Sequence, residues 1–448
     1  MRTLLVITVV VTICVPCDAQ ELLQWELEVP YPDDYIGAHA DVVVEPDTGR
    51  VAACTLRISD TYSEVKYMRY FGRDGWVDGW RGYVWGGTPG TDFGEDVSIA
   101  VTLAPGGLRT GFAYHNTTDL SLEYNEYPIG SVEVIADSAS ANQGRSNSLV
   151  FHADGTAHIA TRSTFSFGND WLVHVHRVGT GGNCGVDAAA GAWQCDTVDI
   201  AEGIAEFISM GLDENGDPMI AYTSGSGELN LAVHNGFGTG NCGYGDAAGM
   251  WDCTPLVVSN KAATTNRATE FGGRVALAVD PNAPATGKHV AFLSTDTTTG
   301  DQSLDYATWV GSGGSCSDPR WNCMALVAVG DGVVDLDIAV DGNGLPLIVY
   351  RDSISGDVRL AWGSDGGSGS GSCGPSGSWR CDIIDEEPLF GNIGGYVSIA
   401  SGRGGEPVVA YSVFDPTGPD ADLRIAHPWI SRDFFETGDL SWWDADVQ

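Results

Sequence analysis

The sequence predicts an all-β protein folded as a single seven-bladed β-propeller. Three observations carry that expectation. A unit of about sixty residues returns along the chain. Each copy alternates short apolar strands with Gly-rich turns, the signature of successive hairpins. A skeleton of Gly-rich loop, Cys, then Trp-x-Cys recurs four times, from GGNCGVDAAAGAWQC at Cys184 to GSGSCGPSGSWRC at Cys381. Four antiparallel strands per unit, repeated seven times, describe a propeller. Six or eight blades stay open, because the first two copies are faint.

Residues 1–19, MRTLLVITVVVTICVPCDA, hold one arginine, an apolar run and a small residue at Ala19. They read as a secretory signal peptide. The run is short for a membrane span, and no other long apolar stretch follows. The expected boundaries are 1–19 signal peptide, 20–430 propeller and 431–448 C-terminal tail. The expected location is secreted, extracellular or at the cell surface, with no transmembrane segment.

The copies begin near Asp41, Asp96, Ser148, Phe207, Arg274, Leu336 and Tyr396. In FISMGLDENGDPMIAYTSGSGELNLAVHNG and LDIAVDGNGLPLIVYRDSISGDVRLAWGS the order is constant. An alternating strand leads into a tight turn and then a strand ending in Ala-Tyr or Val-Tyr. A Ser/Asp/Gly loop, a third strand, the Cys–Trp hairpin and a fourth strand follow. From Asp213 to Asp280, Asp341 and Gly402 the steps are 67, 61 and 61 residues. The seventh copy stops after its third strand, near Ile425, and residues 22–29, LLQWELEV, form an unassigned strand. Pairing that strand into the last blade closes the ring and hides an edge.

Of eleven cysteines, eight beyond the signal form four close pairs. Cys184 with Cys195, Cys242 with Cys253, Cys316 with Cys323 and Cys373 with Cys381 have ten, ten, six and seven residues between partners. An oxidising compartment makes these local disulfides, each worth roughly 2–3 kcal/mol of loop closure. Zinc fits poorly, because no histidine or second Cys pair stands at ligand spacing. Cys54, in the apolar run VAACTLRI, is left as a buried free thiol. Trp193, Trp251, Trp321 and Trp379 each precede a second cysteine by two residues. Each is expected to cover its own blade, with aromatic sugar platforms as the alternative.

The units resemble a repeat of secreted bacterial proteins, roughly SIAVDxxGxPxIAYxDxxxGxLxYA followed by VGSGGNC…WxC. The resemblance spans most of the chain and is best in the last four units. It implies a propeller, distantly sialidase-like, with no single activity attached. Residues 435–443, FETGDLSWW, resemble a Phe-Glu-Ser/Thr-Gly-Asp-x-Ser-x-Trp tail of exported bacterial proteins, which implies sorting or surface display.

Charge narrows the partners. Lys plus Arg number 22 against 60 Asp plus Glu, a net charge of -38. Such a surface excludes nucleic acid, whose binding needs cations to displace counterions, and disfavours anionic lipid. It suits cations or neutral ligands.

In a propeller, the second-to-third-strand loops and the blade connections share one face, and the hairpins share the other. The loop face is acidic. Its candidate ligand-binding residues are Asp60, Asp119, Asp170, Asp296, Asp352, Arg351 and Asp415. Converging carboxylates repel one another unless something compensates. Calcium, which takes six to eight oxygens, would do so, with Asp296 and Asp352 as candidate ligands. Solvated turns are the plainer reading. DENGDP from Asp213 and DGNGLP from Asp341 look like calcium loops but lack a downstream ligand, and read as hairpin turns.

The third unit holds four histidines, His152, His158, His174 and His176. His174 and His176, two apart in WLVHVHRV, share a strand face. With His158 on the neighbouring strand they are candidate ligands for a transition metal.

Hydrolysis by paired carboxylates of the acidic face is the alternative activity, as a glycoside hydrolase or polysaccharide lyase. Tyr222, Tyr350 and Tyr411 could serve as nucleophiles, but they recur with the repeat, which points to packing. No Asp-box, GxSxG, HExxH or phosphate loop occurs. The leading expectation is non-catalytic binding of an extracellular glycan or protein; a structural surface module is the third reading.

Overall fold

The computed structural model describes residues 25–28, 36–58, 63–70, 80–85, 93–127, 131–136, 141–165, 169–201, 203–204, 207–224, 228–257, 261–263, 275–296, 302–329, 335–352, 355–363, 371–386, 392–414 and 421–428. The expected signal peptide and C-terminal tail lie outside the described residues.

Alternating apolar residues and tight turns fold into seven antiparallel sheets, six of them made of consecutive strands. Blade one runs Ile36–Val44, Val51–Ile58, Ser63–Tyr70 and Trp80–Trp85. Blade two runs Phe93–Ala104, Gly107–Asn116, Ser121–Tyr127 and Glu133–Ala136. Blade three runs Ala141–Phe151, Ala157–Phe165, Asp170–Arg177 and Trp193–Ala201. Blade four runs Ile208–Leu212, Pro218–Thr223, Leu229–His234 and Trp251–Val257. Blade five runs Val275–Val279, Lys288–Asp296, Gln302–Trp309 and Trp321–Val329, with Lys261–Ala263 pairing the far end of its second strand. Blade six runs Leu336–Val340, Pro346–Arg351, Val358–Gly363 and Trp379–Asp385. Blade seven takes Asn392–Ser401, Pro407–Phe414 and Ala421–Pro428 from the end of the chain and Trp25–Glu28 from its beginning. Trp25 pairs Pro428 and Glu28 pairs Ile425, so the expected closing strand is in place.

The first strand of each blade lies innermost, and these seven strands pack in order around the ring until the last meets the first. A repeated side chain ties them together. Asp41, Ser98, Ser148, Ser209, Ala276, Asp337 and Ser398 occupy one level of the ring. Each side-chain oxygen among them accepts the backbone N–H of the next blade. Asp41 Oδ2 takes Ile99 at 2.8 Å, Ser98 Oγ takes Leu149 at 3.1 Å, and Ser148 Oγ takes Met210 at 3.0 Å. Ser209 Oγ takes Leu277 at 2.9 Å, Asp337 Oδ2 takes Ile399 at 2.9 Å, and Ser398 Oγ takes Val42 at 3.3 Å. Innermost strands expose N–H groups that no strand can pair, and this girdle satisfies them. The gap falls at Ala276. There the next N–H, Ile338, turns to its own Asp337 at 2.8 Å.

Apolar clusters fill each blade interface. Between blades five and six, for example, Leu304 and Tyr306 meet Ile348, Tyr350 and Trp379. The Ala-Tyr positions belong to these interfaces. Tyr222 and Tyr411 are buried and donate to Asp199 and Asp385 of the preceding blade, both at 2.8 Å. Burial and those carboxylates push both phenols far up, so neither is an ionised nucleophile.

All four disulfides form in the expected pairing. Cys184 is bonded to Cys195 in blade three and Cys242 to Cys253 in blade four. Cys316 is bonded to Cys323 in blade five and Cys373 to Cys381 in blade six. Cys54 is a buried free thiol. The second cysteine of each pair lies in the outer strand, where the third strand holds it in register. Cys195 stands opposite Val175, Cys253 opposite Ala232, Cys323 opposite Ala307 and Cys381 opposite Ala361.

The hairpins that these bonds close do more than staple their own blade. Gly185 and Val186 donate N–H bonds to Ile135 and Val134, in the outer strand of blade two, at 2.8 and 2.9 Å. Gly243 and Tyr244 do the same to Val198 and Thr197 of blade three, Ser317 to Leu256 of blade four, and Gly374 to Leu326 of blade five. Each hairpin thus covers part of an edge that would otherwise stand open. The Gly after the first Cys is required by this turn. Gly185 and Gly243 have φ of 101° and 95°, and a Cβ would lie 1.9 and 2.0 Å from the carbonyl oxygens of Ala189 and Ala247.

One expectation needs correction. The hairpin tryptophans do not simply cover their own blades. Trp193 meets Tyr124 of blade two edge-on at 5.0 Å and donates its indole N–H to Glu133 at 2.8 Å. Trp379 meets Tyr306 of blade five at 4.8 Å. Trp251 meets His174 of blade three at 5.3 Å. All four tryptophans are at most 4% exposed, so none offers a sugar platform. Placing a large aromatic at the first residue of the outer strand wedges Trp193, Trp251 and Trp379 against the preceding blade.

Candidate functional site

Arginines neutralise part of the acidic loop face locally. Arg162 of blade three holds Asp170 at 2.7 Å, and Asp170 also accepts the Gly203 N–H at 2.9 Å. Burial alone would raise that carboxyl, but these partners outweigh it and hold it below its ordinary value. Asp352 is buried against Arg359 at 3.2 Å, and Arg359 also reaches Asp357 at 3.0 Å. Asp119 lies exposed in a turn, where the Asn116 amide donates to it at 3.1 Å. Arg351 donates its backbone N–H to the Asp335 carbonyl at 3.3 Å. Asp296 ends the second strand of blade five. Asp60 and Asp415 lie outside the described residues.

The two calcium-like loops are hairpin turns whose carboxylates serve their own backbone. Asp213 Oδ1 accepts Asn215 and Asp217 N–H at 2.8 and 3.0 Å. Asp341 Oδ1 accepts Asn343 and Leu345 at 2.9 and 2.7 Å.

Along the ring axis, Ser398 Oγ bridges two carboxylates, 2.6 Å from Asp41 and 3.1 Å from Asp337. Burial first and the Asp41 charge second raise Asp337 to about 7. One level toward the loop face, Tyr396 OH contacts His39 Nε2 at 3.1 Å, and His39 Nδ1 accepts the Asp96 N–H at 3.2 Å.

Two further concentrations of polar groups lie on the hairpin face, flanking the first turn of blade three. The first is a groove between blades two and three with a volume of about 480 Å³, lined by Ala104, Pro105, Gly106, Leu108, Arg109, Glu126, Tyr127 and Asp154. Its floor is an ion network. Arg109 pairs with Glu126 and reaches across the interface to the Gly155 carbonyl. Tyr124 OH donates to Glu126 at 2.6 Å, and Arg177 of blade three pairs with Glu133 at 2.6 Å.

The second is a histidine cluster between blades three and four. The expected trio does converge. His158 pairs His176 in register, His174 stands opposite Asp196, and the three rings stack with centroids 5.2–5.6 Å apart. The fold brings two more. His152 lies 6.4 Å from His158 by ring centroid and pairs with Asp154 at 2.9 Å. His234 of blade four meets Trp251 at 5.1 Å and Asp217 at 3.2 Å. Burial, then the neighbouring imidazoles, depress His158 to about 3 and His174 well below its ordinary value. Burial also lowers His176, against the pull of Asp196.

Sequence reasoning did not reach Arg109, Glu126, Tyr127, Asp196 or His234 as site residues. Spacing flags histidines on one strand, but Asp196 reaches them through the register of the next strand and His234 from the next blade, and neither carries a local pattern.

No protein-family model matches the chain, and no curated protein matches it. Solved structures similar to it include propeller lectins, sialidases, a puromycin hydrolase and a WD40 domain. With the Hadza microbial sialidase Hz136 it shares 10% identity over 88% of this chain and 66% of that one, TM-score 0.45. With AofleA of Arthrobotrys oligospora it shares 10% identity over 90% and 86%, TM-score 0.43. With the six-bladed fucose-recognising lectin of Aleuria aurantia it shares 10% identity over 81% and 99%, TM-score 0.43.

Proposed function

We propose that the protein is an exported, non-catalytic glycan-binding propeller, with the groove between blades two and three as its ligand site. The groove itself carries the reading. It sets a guanidinium, two carboxylates and a tyrosine beside the apolar Leu108 and Pro105. Paired planar donors and acceptors suit vicinal hydroxyls, and an aromatic beside them suits the apolar face of a sugar ring. Its volume of about 480 Å³ lies within the usual range for ligand sites, roughly 300–1,000 Å³. Export is supported by the four disulfides, which persist in oxidising compartments. The charge of -38 favours a neutral glycan over an anionic one. A binding role is supported by the pairing of Asp170 with Arg162, which holds its carboxyl below the ordinary value and leaves it a poor proton donor.

The test is a glycan array followed by calorimetry on the best neutral oligosaccharide. Arg109→Gln should weaken binding at least tenfold while the melting profile stays within two degrees. Binding that ignores Arg109→Gln and Tyr127→Ala removes the groove from consideration. Mass spectrometry of the same incubations checks the second half: new, shorter oligosaccharides would make the protein a hydrolase or lyase.

A further inference from the structure

We propose that His174, His176 and Asp196 form a binding site for a borderline divalent metal ion, zinc foremost, with His158 setting the tautomer of His174. The inference is independent of the glycan groove.

The three groups come from adjacent strands of blade three, and their ligand atoms all lie within 4.8 Å of one another. Tetrahedral zinc with bonds of about 2.0–2.2 Å holds its ligand atoms about 3.3–3.6 Å apart. The widest pair therefore closes by about 1.2–1.5 Å when the metal binds, a shift within reach of side-chain rotation.

Unpaired nitrogens point to a ligand. His174 is 3% exposed, and its Nδ1 has no hydrogen-bond partner; neither has the buried Nδ1 of His176. A buried polar atom without a partner costs stability and calls for an explanation. A histidine kept merely for packing would be better replaced by an apolar side chain. Here two consecutive inward-facing positions keep imidazole.

The surroundings orient the donors. His158 Nδ1 lies 3.1 Å from His174 Nε2, a contact that holds one proton. With that proton on His174 Nε2, the Nδ1 lone pair of His174 faces the site. Gln194 Nε2 donates to Asp196 Oδ1 at 2.9 Å and fixes the carboxylate. Partners of this kind orient metal ligands in general. Trp251 stacks edge-on to His174 and walls the site from blade four.

Ligand chemistry selects the metal class. Two imidazoles and one carboxylate suit zinc and its borderline neighbours, whereas calcium takes oxygens only. Three protein ligands leave a fourth position for water.

The test uses untagged full chain, stripped with chelator and titrated with zinc chloride in a calorimeter at pH 7. The expected result is one equivalent bound, with Asp196→Asn and His176→Gln each weakening binding at least tenfold. His158→Gln keeps an acceptor for His174 Nε2 and should hold affinity within threefold; His158→Leu should lose tenfold. Melting of the metal-free variants separates a lost ligand from a lost fold, and Asp196→Asn, at a half-buried position, is the variant least disruptive to packing. Absence of binding tighter than millimolar overturns the proposal. So does stoichiometric binding that Asp196→Asn and His176→Gln leave unchanged.

Discussion

Replacing Ser148 by alanine removes one rung of the girdle that joins the inner strands. Ser148 Oγ accepts the N–H of Met210 at 3.0 Å, and Met210 is 3% exposed. A buried N–H left without an acceptor costs about 1–3 kcal/mol. Ser148 itself is half-buried, so water can recover part of the loss, and the lower half of that range, about 1–2 kcal/mol, is expected. Two assays read it. At about 2.1 cal/mol/K per residue over 448 residues the unfolding entropy is ~0.9 kcal/mol/K, so Tm should fall by about 1–2 °C. Hydrogen exchange is sharper, because 1.4 kcal/mol is tenfold: the Met210 amide should exchange about ten times faster when opening is local. Ser209→Ala should act alike on Leu277, its acceptor bond being 2.9 Å. The fold should survive either change, since position 276 is already alanine. Unchanged exchange at Met210 would refute the girdle as the acceptor of the inner-strand amides.

Trp193→Ala should cost about 3–5 kcal/mol by urea unfolding, because it empties a fully buried wedge between blades two and three and removes the indole donor to Glu133 Oε2. Gly185→Ala should disrupt the hairpin, since its Cβ would lie 1.9 Å from a carbonyl oxygen; loss of protection at the Val186 amide, bonded to Val134, is the readout. His289 predicts an acid-side loss of stability. Burial lowers its pKa to about 4, beside Tyr306 OH and against the pull of Asp280. The unfolded chain therefore binds the proton more tightly. This contribution is complete above pH 6.5 and is lost as pH falls toward 4, amounting to about 2 kcal/mol by pH 5. His289→Gln should flatten that part of the pH dependence, and an equally steep profile in the variant would assign the loss elsewhere.

Much of this architecture was legible in the sequence. Blade number, the order of strands, the four disulfides and the buried Cys54 follow from local patterns: alternation, turn glycines and close Cys pairs. The closing strand was legible because the seventh copy lacked a fourth strand and the N-terminal segment had no partner. The clustering of His158, His174 and His176 was partly legible, since a spacing of two fixes a shared face.

What the sequence left undetermined depends on which blade lies against which surface. The direction of the tryptophans toward the preceding blade, the reach of each hairpin to its neighbour's outer strand, and the serine–aspartate girdle are all contacts between units. So are the groove shared by Arg109 and Asp154 and the approach of His234 to Trp251. Strand periodicity specifies only which face of a sheet a side chain takes. The twist and radius of the closed ring decide what that face meets, and those arise only when all seven blades pack together.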